Sequence, residues 1–110
     1  MLNSILNMFG GGGNDALAEA INNNATIIDV RSVMEYRGGH VAGSKNIPLN
    51  ELGPALKKLP KDQTIVFCCA SGARSGAATD MARAAGLTAH NGGPWTRVNR
   101  LVAEKGTGNG

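Results

Sequence analysis

The stretch Thr64-Ile65-Val66-Phe67-Cys68 constrains this chain more than any other. It is a continuous apolar run with β-branched residues and no alternation, the pattern of a strand buried on both faces. The run passes directly into the small-residue segment Ala70-Ser71-Gly72-Ala73, with Cys69 at the junction and a helix expected from Ser75. In that helix Ala78, Met81, Ala82 and Ala85 recur at three and four residues, a narrow apolar stripe that Gly86 ends as a C-terminal cap.

The rest of the chain repeats this alternation. Asp15 is placed to cap a helix running to about Asn22, Thr26-Ile27-Ile28-Asp29-Val30 reads as a second buried strand, and Ser32 caps a short helix. Residues 44–48 read as a short strand end. Asn50 opens a helix expected over residues 50–59, with Pro54 tolerated near its first turn and Pro60 as its stop. Residues 87–90 read as a last short strand, and Pro94 starts a final helix through Val102. Strands alternating with helices imply an α/β fold, a small, mostly parallel central sheet flanked by helices on both faces. Ligands bind such sheets beyond the carboxyl ends of the strands, so a site is expected at the loop that leaves Cys68.

A chain of 110 residues leaves room for one domain. Residues 1–13 read as a flexible tail and Gly-rich linker, residues 14–104 as the folded domain, and residues 105–110 as a disordered tail. Leu2, Ile5, Leu6 and Phe9 have helical spacing, but so short a stretch is marginal as an isolated helix. No run approaches the roughly 20 apolar residues that cross a bilayer, and residues 1–9 lack the features of a signal peptide. A cytoplasmic monomer with no membrane association is therefore expected. The net charge of +3 comes from scattered basic residues, and Lys57, Lys58 and Lys61 read as a solvated face, so no nucleic acid is expected as a partner. The only two cysteines, Cys68 and Cys69, are adjacent; a disulfide between them would be badly strained, which makes cysteine here chemistry rather than scaffold.

That chemistry has a physical basis in the loop. If residues 69–74 curl into a cradle, successive backbone N–H groups and the helix N-terminus point at the Cys69 sulfur and favour its thiolate. Such settings lower a thiol's pKa to a range of about 3.5 to 7.5. Gly72 fits a tight turn, while Ala70, Ser71 and Ala73 leave the mouth open to a donor or acceptor. Arg74 adds a permanent cation or turns back into an ion pair with Asp29 or Glu35. Cys68 precedes the loop on a strand and should point into the core, opposite to Cys69. Asp29 lies at a strand end, where it can bond loop amides. Ser71 and Ser75 are placed to touch a substrate, although Ser75 also reads as a helix cap. Tyr36 and Trp95 read as packing residues, and His40 and His90, without further ligands, give no metal site.

The motifs Asp29-Val30-Arg31-Ser32 with Glu35-Tyr36, Gly39-His40-Val41-x-Gly43, Asn46-Ile47-Pro48-Leu49 and Cys69-x-Ser71-Gly72-x-Arg74-Ser75 occur in register. Together they resemble the rhodanese domain over about residues 14–104. The resemblance implies a sulfurtransferase in which Cys69 takes a sulfane sulfur from thiosulfate or a persulfide and yields it to cyanide or a thiol. It also implies residues 70–75 as the persulfide-binding loop, Asp29, Arg31, Glu35 and His40 in support, and no dissociable cofactor. Expected partners are small sulfur donors, thiol acceptors and another persulfide-carrying protein. The loop lacks the cations seen at its second and third positions in members adapted to thiosulfate, which argues against thiosulfate as the physiological donor. Two alternatives stand beside this reading. One is a binding or regulatory module without turnover. The other is phosphatase or arsenate reductase chemistry, disfavoured because only four residues separate Cys69 from Arg74 and no carboxylate lies between them.

Overall fold

Residues 12–105 are described by the structure, a computed structural model; the expectations for residues 1–11 and 106–110 lie outside what it describes. The first helix begins at Gly12, so it takes in Gly12 and Gly13, read as linker, and Asp15 lies within it instead of capping it. In chain order the elements are α1 (Gly12–Asn22), β1 (Thr26–Asp29), α2 (Val33–Arg37), β2 (Lys45–Asn46), a 3-10 turn (Leu49–Glu51), α3 (Leu52–Leu56), β3 (Thr64–Cys69), α4 (Ala73–Ala84), β4 (Thr88–Pro94) and α5 (Trp95–Lys105). The strands form one sheet in the order β2-β1-β3-β4, with every pairing parallel. β3 is interior, and residues 65–69 are all buried, as its unbroken apolar run requires.

Side chains alternate across β3 with period two. Ile65, Phe67 and Cys69 join Ile28, Val30, Leu52, Leu56, Ala78 and Ala82 in the core beneath α3 and α4. Val66 and Cys68 join Leu17, Ile21, Val41 and Val98 in the core beneath α1 and α5. Each large side chain so buried contributes about 1.5 to 3 kcal/mol, which makes β3 the spine of both layers. The carboxyl end of that spine is where the Cys69 loop begins.

Several elements differ from expectation for identifiable reasons. The helix expected over residues 50–59 is a 3-10 turn followed by only five α-helical residues. Pro54 stands third in α3, where a missing N–H is harmless, and the bonds Lys57 N–H to Pro54 and Lys58 N–H to Ala55 tighten and close its end. α4 starts at Ala73 rather than Ser75, because Gly72 turns the chain at φ 109° and its carbonyl accepts the first helical bond, from Gly76. Its buried face is Ser75, Ala78, Thr79 and Ala82; Met81 is exposed. Thr79 is tolerated there because its hydroxyl donates to the Ser75 carbonyl at 2.7 Å. Gly86, with φ 85°, ends the helix as expected, its N–H bonding Arg83 while that of Leu87 bonds Ala82.

The last strand is longer than the stretch read over residues 87–90, and Pro94 closes β4 instead of opening α5. β4 continues through Asn91, Gly92 and Gly93 by means of a bulge, since Phe67 pairs with Asn91 but Cys68 with Gly93. Gly92 is required by packing: a methyl group there would lie 2.6 Å from Val98 Cγ2 and 2.9 Å from both the Phe67 carbonyl and Val66 Cγ1. Gly92→Ala is therefore expected to destabilise the fold by about 1 to 3 kcal/mol through overpacking. Urea denaturation checks this, with a midpoint equal to that of the parent protein as the contrary result.

Candidate active site

Cys69 ends β3, and the sequence at once turns through Gly72 into α4, so the helix start folds back over the sulfur. The Gly72 N–H donates to Cys69 Sγ at 3.0 Å and the Ser75 N–H at 3.3 Å, with the Ser75 hydroxyl also 3.3 Å away. Burial by itself pushes the Cys69 thiol up. The Ser75 hydroxyl and the amides of Ser75, Gly72 and Ser71 outweigh that penalty, and the net effect holds the thiol below its ordinary value. Cys68, on the opposite face, has no such partners: burial first, then the Asp29 charge, pushes its thiol up to about 12. Two adjacent cysteines thus have opposite acidities because a strand presents them to different surroundings.

The cradle differs from expectation in two ways. Ser75, read both as a loop residue and as a helix cap, does not cap α4: it is buried in the first turn and is a direct partner of the sulfur. The mouth is also closed. Ala70, Ser71 and Ala73 are exposed, but Cys69 itself has 0% of its area accessible, because the loop is tight enough for backbone and Ser75 to cover a sulfur held at hydrogen-bond distance.

Arg74 points away from the sulfur and grips Glu35 in a two-pronged pair, Nη1 to Oε1 at 2.7 Å and Nη2 to Oε2 at 3.0 Å. This is the structural use expected of it, with Glu35 rather than Asp29 as partner. Glu35 also closes the capping box of α2, accepting from the Ser32 N–H while the Ser32 hydroxyl accepts from the Glu35 N–H. Arg74, then the Ser32 amide, hold the Glu35 carboxyl down at about 2. A carboxyl lowered in the folded state keeps its contribution above the unfolded value and loses it as pH falls through about 2, so this clamp is constant through the neutral range.

Asp29, expected to bond loop amides or balance Arg74, is taken by Arg31. The carboxylate accepts the Arg31 N–H at 3.0 Å and its guanidinium at 2.7 Å, and both residues are buried. Arg31 further donates to the Gly39 carbonyl and lies 5.0 Å from the Trp95 ring centroid, tying the end of β1 to the start of α5. Asn46 adds bonds from its amide to the Asp29 and Arg31 carbonyls. His40 stacks on Tyr36 and bonds its carbonyl through Nδ1, a turn-stabilising role away from the sulfur. Asp29, Arg31 and His40 therefore support the frame, while Gly72 and Ser75 touch the sulfur.

Asn91 was not singled out by the sequence, yet its side chain reaches Gly72 and Ser75 at the start of α4 and the Gly93 N–H on its own strand. Nothing local marks it, since Asn-Gly-Gly reads as a turn. Beside the loop, at Arg74, lies a cavity of about 380 Å³ with Val30, Pro48 and Leu49 among its lining. Another, of about 320 Å³, lies at the amino ends of the strands, near Thr26 and Lys45, remote from Cys69. Among the described residues no group of three or more His, Cys, Asp or Glu is placed to hold a metal ion, and no helix is long and apolar enough to cross a membrane.

Comparison with known proteins decides the family. The model of the rhodanese-like domain matches residues 14–93. The chain belongs to that family. The matched span of this rhodanese-like domain contains the Cys69 loop, Asp29, Glu35 and Asn91. The chain is 38% identical over 64 residues to the uncharacterized protein YqhL of Bacillus subtilis, covering 58% of this chain and 51% of that one. It is 36% identical over 78 residues to human thiosulfate:glutathione sulfurtransferase, covering 58% and 68% respectively. It thus spans about half the length of the first of these relatives. The solved structure of a human single-domain sulfurtransferase superposes with a TM-score of 0.64 at 26% identity, over 79% of this chain and 91% of that one. The rhodanese fold and the parallel sheet of this chain agree.

Proposed function

We propose that this rhodanese-like domain transfers sulfane sulfur through a persulfide on Cys69. The observation that carries the reading is the convergence of the Gly72 and Ser75 amides and the Ser75 hydroxyl on one sulfur. The names of its relatives, which include sulfurtransferases, support it. In the first step the Cys69 thiolate attacks the outer sulfur of the donor. A new S–S bond forms, the donor's own bond to that sulfur breaks, and the leaving group departs with the electron pair as a thiolate or, from thiosulfate, as sulfite. In the second step an acceptor thiolate or cyanide attacks the outer sulfur and Cys69 leaves as the thiolate. The cradle's donors stabilise the anion that both steps share, and no dissociable cofactor is needed.

Since Cys69 has no accessible area, attack requires the loop of residues 70–72 to part by a local fluctuation. Ala70 and Ser71 are exposed and Gly72 has no side chain, so little side-chain packing opposes it. The apolar cavity beside Arg74 suits a thiol acceptor with a nonpolar body. Arg74, already clamped by Glu35, offers little to a doubly charged donor, which favours persulfides over thiosulfate. Small sulfur donors, thiol acceptors or a persulfide-carrying protein are the partners this chemistry takes.

The same burial favours a second reading, a binding module that keeps the fold without turnover. Incubation with thiosulfate and with a low-molecular-weight persulfide, read by intact mass, separates the two. One sulfur atom added at Cys69 is expected; no adduct with any sulfane donor would leave the binding module.

A further inference from the structure

Asn91 stands on β4 opposite Phe67, on the sheet face that also carries Cys69. Its hydrogen bonds fix which way the amide points. Oδ1 accepts the Gly93 N–H at 2.9 Å and the Ser75 hydroxyl at 2.7 Å, while Nδ2 donates to the Gly72 carbonyl at 3.3 Å. The bulge at Gly92 lets β4 carry this side chain up to the loop while its backbone stays paired with β3.

A serine hydroxyl has a single hydrogen, and here three acceptors lie within its reach: Asn91 Oδ1 at 2.7 Å, the Gly72 carbonyl at 3.2 Å and Cys69 Sγ at 3.3 Å. With the hydrogen on Asn91, the Ser75 oxygen turns a lone pair toward the sulfur, which suits a thiol that must donate. With the hydrogen on sulfur, the same hydroxyl suits a thiolate that must accept. The two protonation states of Cys69 therefore ask opposite things of Ser75, and Asn91 is the competitor with the shortest bond.

We propose that Asn91 is a positioning residue that acts through Ser75, holding the Ser75 hydrogen while Cys69 is a thiol and giving it up to the sulfur when Cys69 ionises. The inference rests on reading Cys69 as the reactive sulfur. No Ser75 O–H bond breaks in this exchange; the hydroxyl rotates, and the proton that departs is that of the Cys69 thiol, which passes to solvent. Of the charged groups near the sulfur, Arg74 pairs with Glu35 on the loop and Arg31 with Asp29 at the end of β1, while the Arg97 guanidinium lies beside Gly93. Cys68 faces the other core. Substituting Asn91 alters neither pair.

The test is the pH dependence of Cys69 alkylation by iodoacetamide, followed by peptide mass with no sulfur donor present, in the parent protein, Asn91→Asp, Ser75→Ala and the double variant. Aspartate still accepts from Ser75 and Gly93 and grips the Ser75 hydrogen more firmly, but it gives up the donation to the Gly72 carbonyl, a loss common to both backgrounds. Asn91→Asp is expected to raise the Cys69 midpoint by about one unit with Ser75 present, and by less than about half as much in the Ser75→Ala background. An equal shift in both backgrounds would show charge acting directly on the sulfur and would overturn the proposal, as would no shift. Asn91→Ala gives an independent check with Ser75 in place, although it also removes the bond to the Gly72 carbonyl. Freeing the hydroxyl lowers the midpoint, whereas a residue that merely braced the loop would raise it on removal. Because no donor is used, a chain that showed this coupling but formed no persulfide would refute the sulfur-transfer reading and leave the role of Asn91 standing.

Discussion

Cys69→Ser is expected to abolish persulfide formation and to reduce thiocyanate release from a sulfane donor and cyanide by on the order of a thousandfold or more. A serine hydroxyl in the same cradle remains protonated near neutrality and forms no bond to sulfur that an acceptor can reverse. The loop should otherwise persist, since an oxygen at this position still accepts from Gly72 and Ser75. Cys68→Ala is the matched control. Its side chain packs in the other core, against Val66 and Val98, and its thiol is held near 12, so its loss should leave turnover within about threefold. Comparable loss in both variants would indicate that folding rather than chemistry had failed, which circular dichroism separates.

Asp29→Ala carries the largest expected cost in stability, about 3 to 5 kcal/mol. The substitution leaves the Arg31 guanidinium buried, with the Gly39 carbonyl and the Trp95 face but no counter-charge, and removes the acceptor of its backbone N–H. Against a total stability of about 5 to 15 kcal/mol for a domain, this removes a large share. Asp29→Asn should cost less, because an amide oxygen can still accept the Arg31 N–H. Urea midpoints at unchanged slope measure both effects. A loss below about 1 kcal/mol for Asp29→Ala would mean that the pair contributes little to the frame of the site.

The parts of this molecule that could be read from sequence are those governed by local rules. The apolar run of β3 needed only its own residues to declare a doubly covered strand, and Ser32 announced the cap of a short helix. The opposite burial of Cys68 and Cys69 followed from strand alternation alone. What escaped depends on contacts made across the fold. Asn91-Gly92-Gly93 has the composition of a turn; only the approach of Val98 and Phe67 to Gly92 shows why glycine occupies a strand there. The choice of Glu35 over Asp29 by Arg74 is a matter of where α2 and Arg31 lie, which spacing does not reveal. Met81 sits at helical spacing from Ala78 and Ala85, yet α4 turns Thr79 inward because the hydroxyl can be satisfied by its own helix. Closure of the loop over Cys69 was likewise invisible, since small residues that leave a mouth open also allow the backbone to collapse onto the sulfur.

The central claim is that hydrogen-bond donors of the loop favour the anion of Cys69 against the cost of burial, and the ionisation of that one thiol tests it most directly. Alkylation of the unmodified protein across the pH range, resolved by peptide, should give a Cys69 midpoint clearly below that of an ordinary free thiol while native Cys68 stays unlabelled. A Cys69 midpoint at or above that of a free thiol would contradict the account.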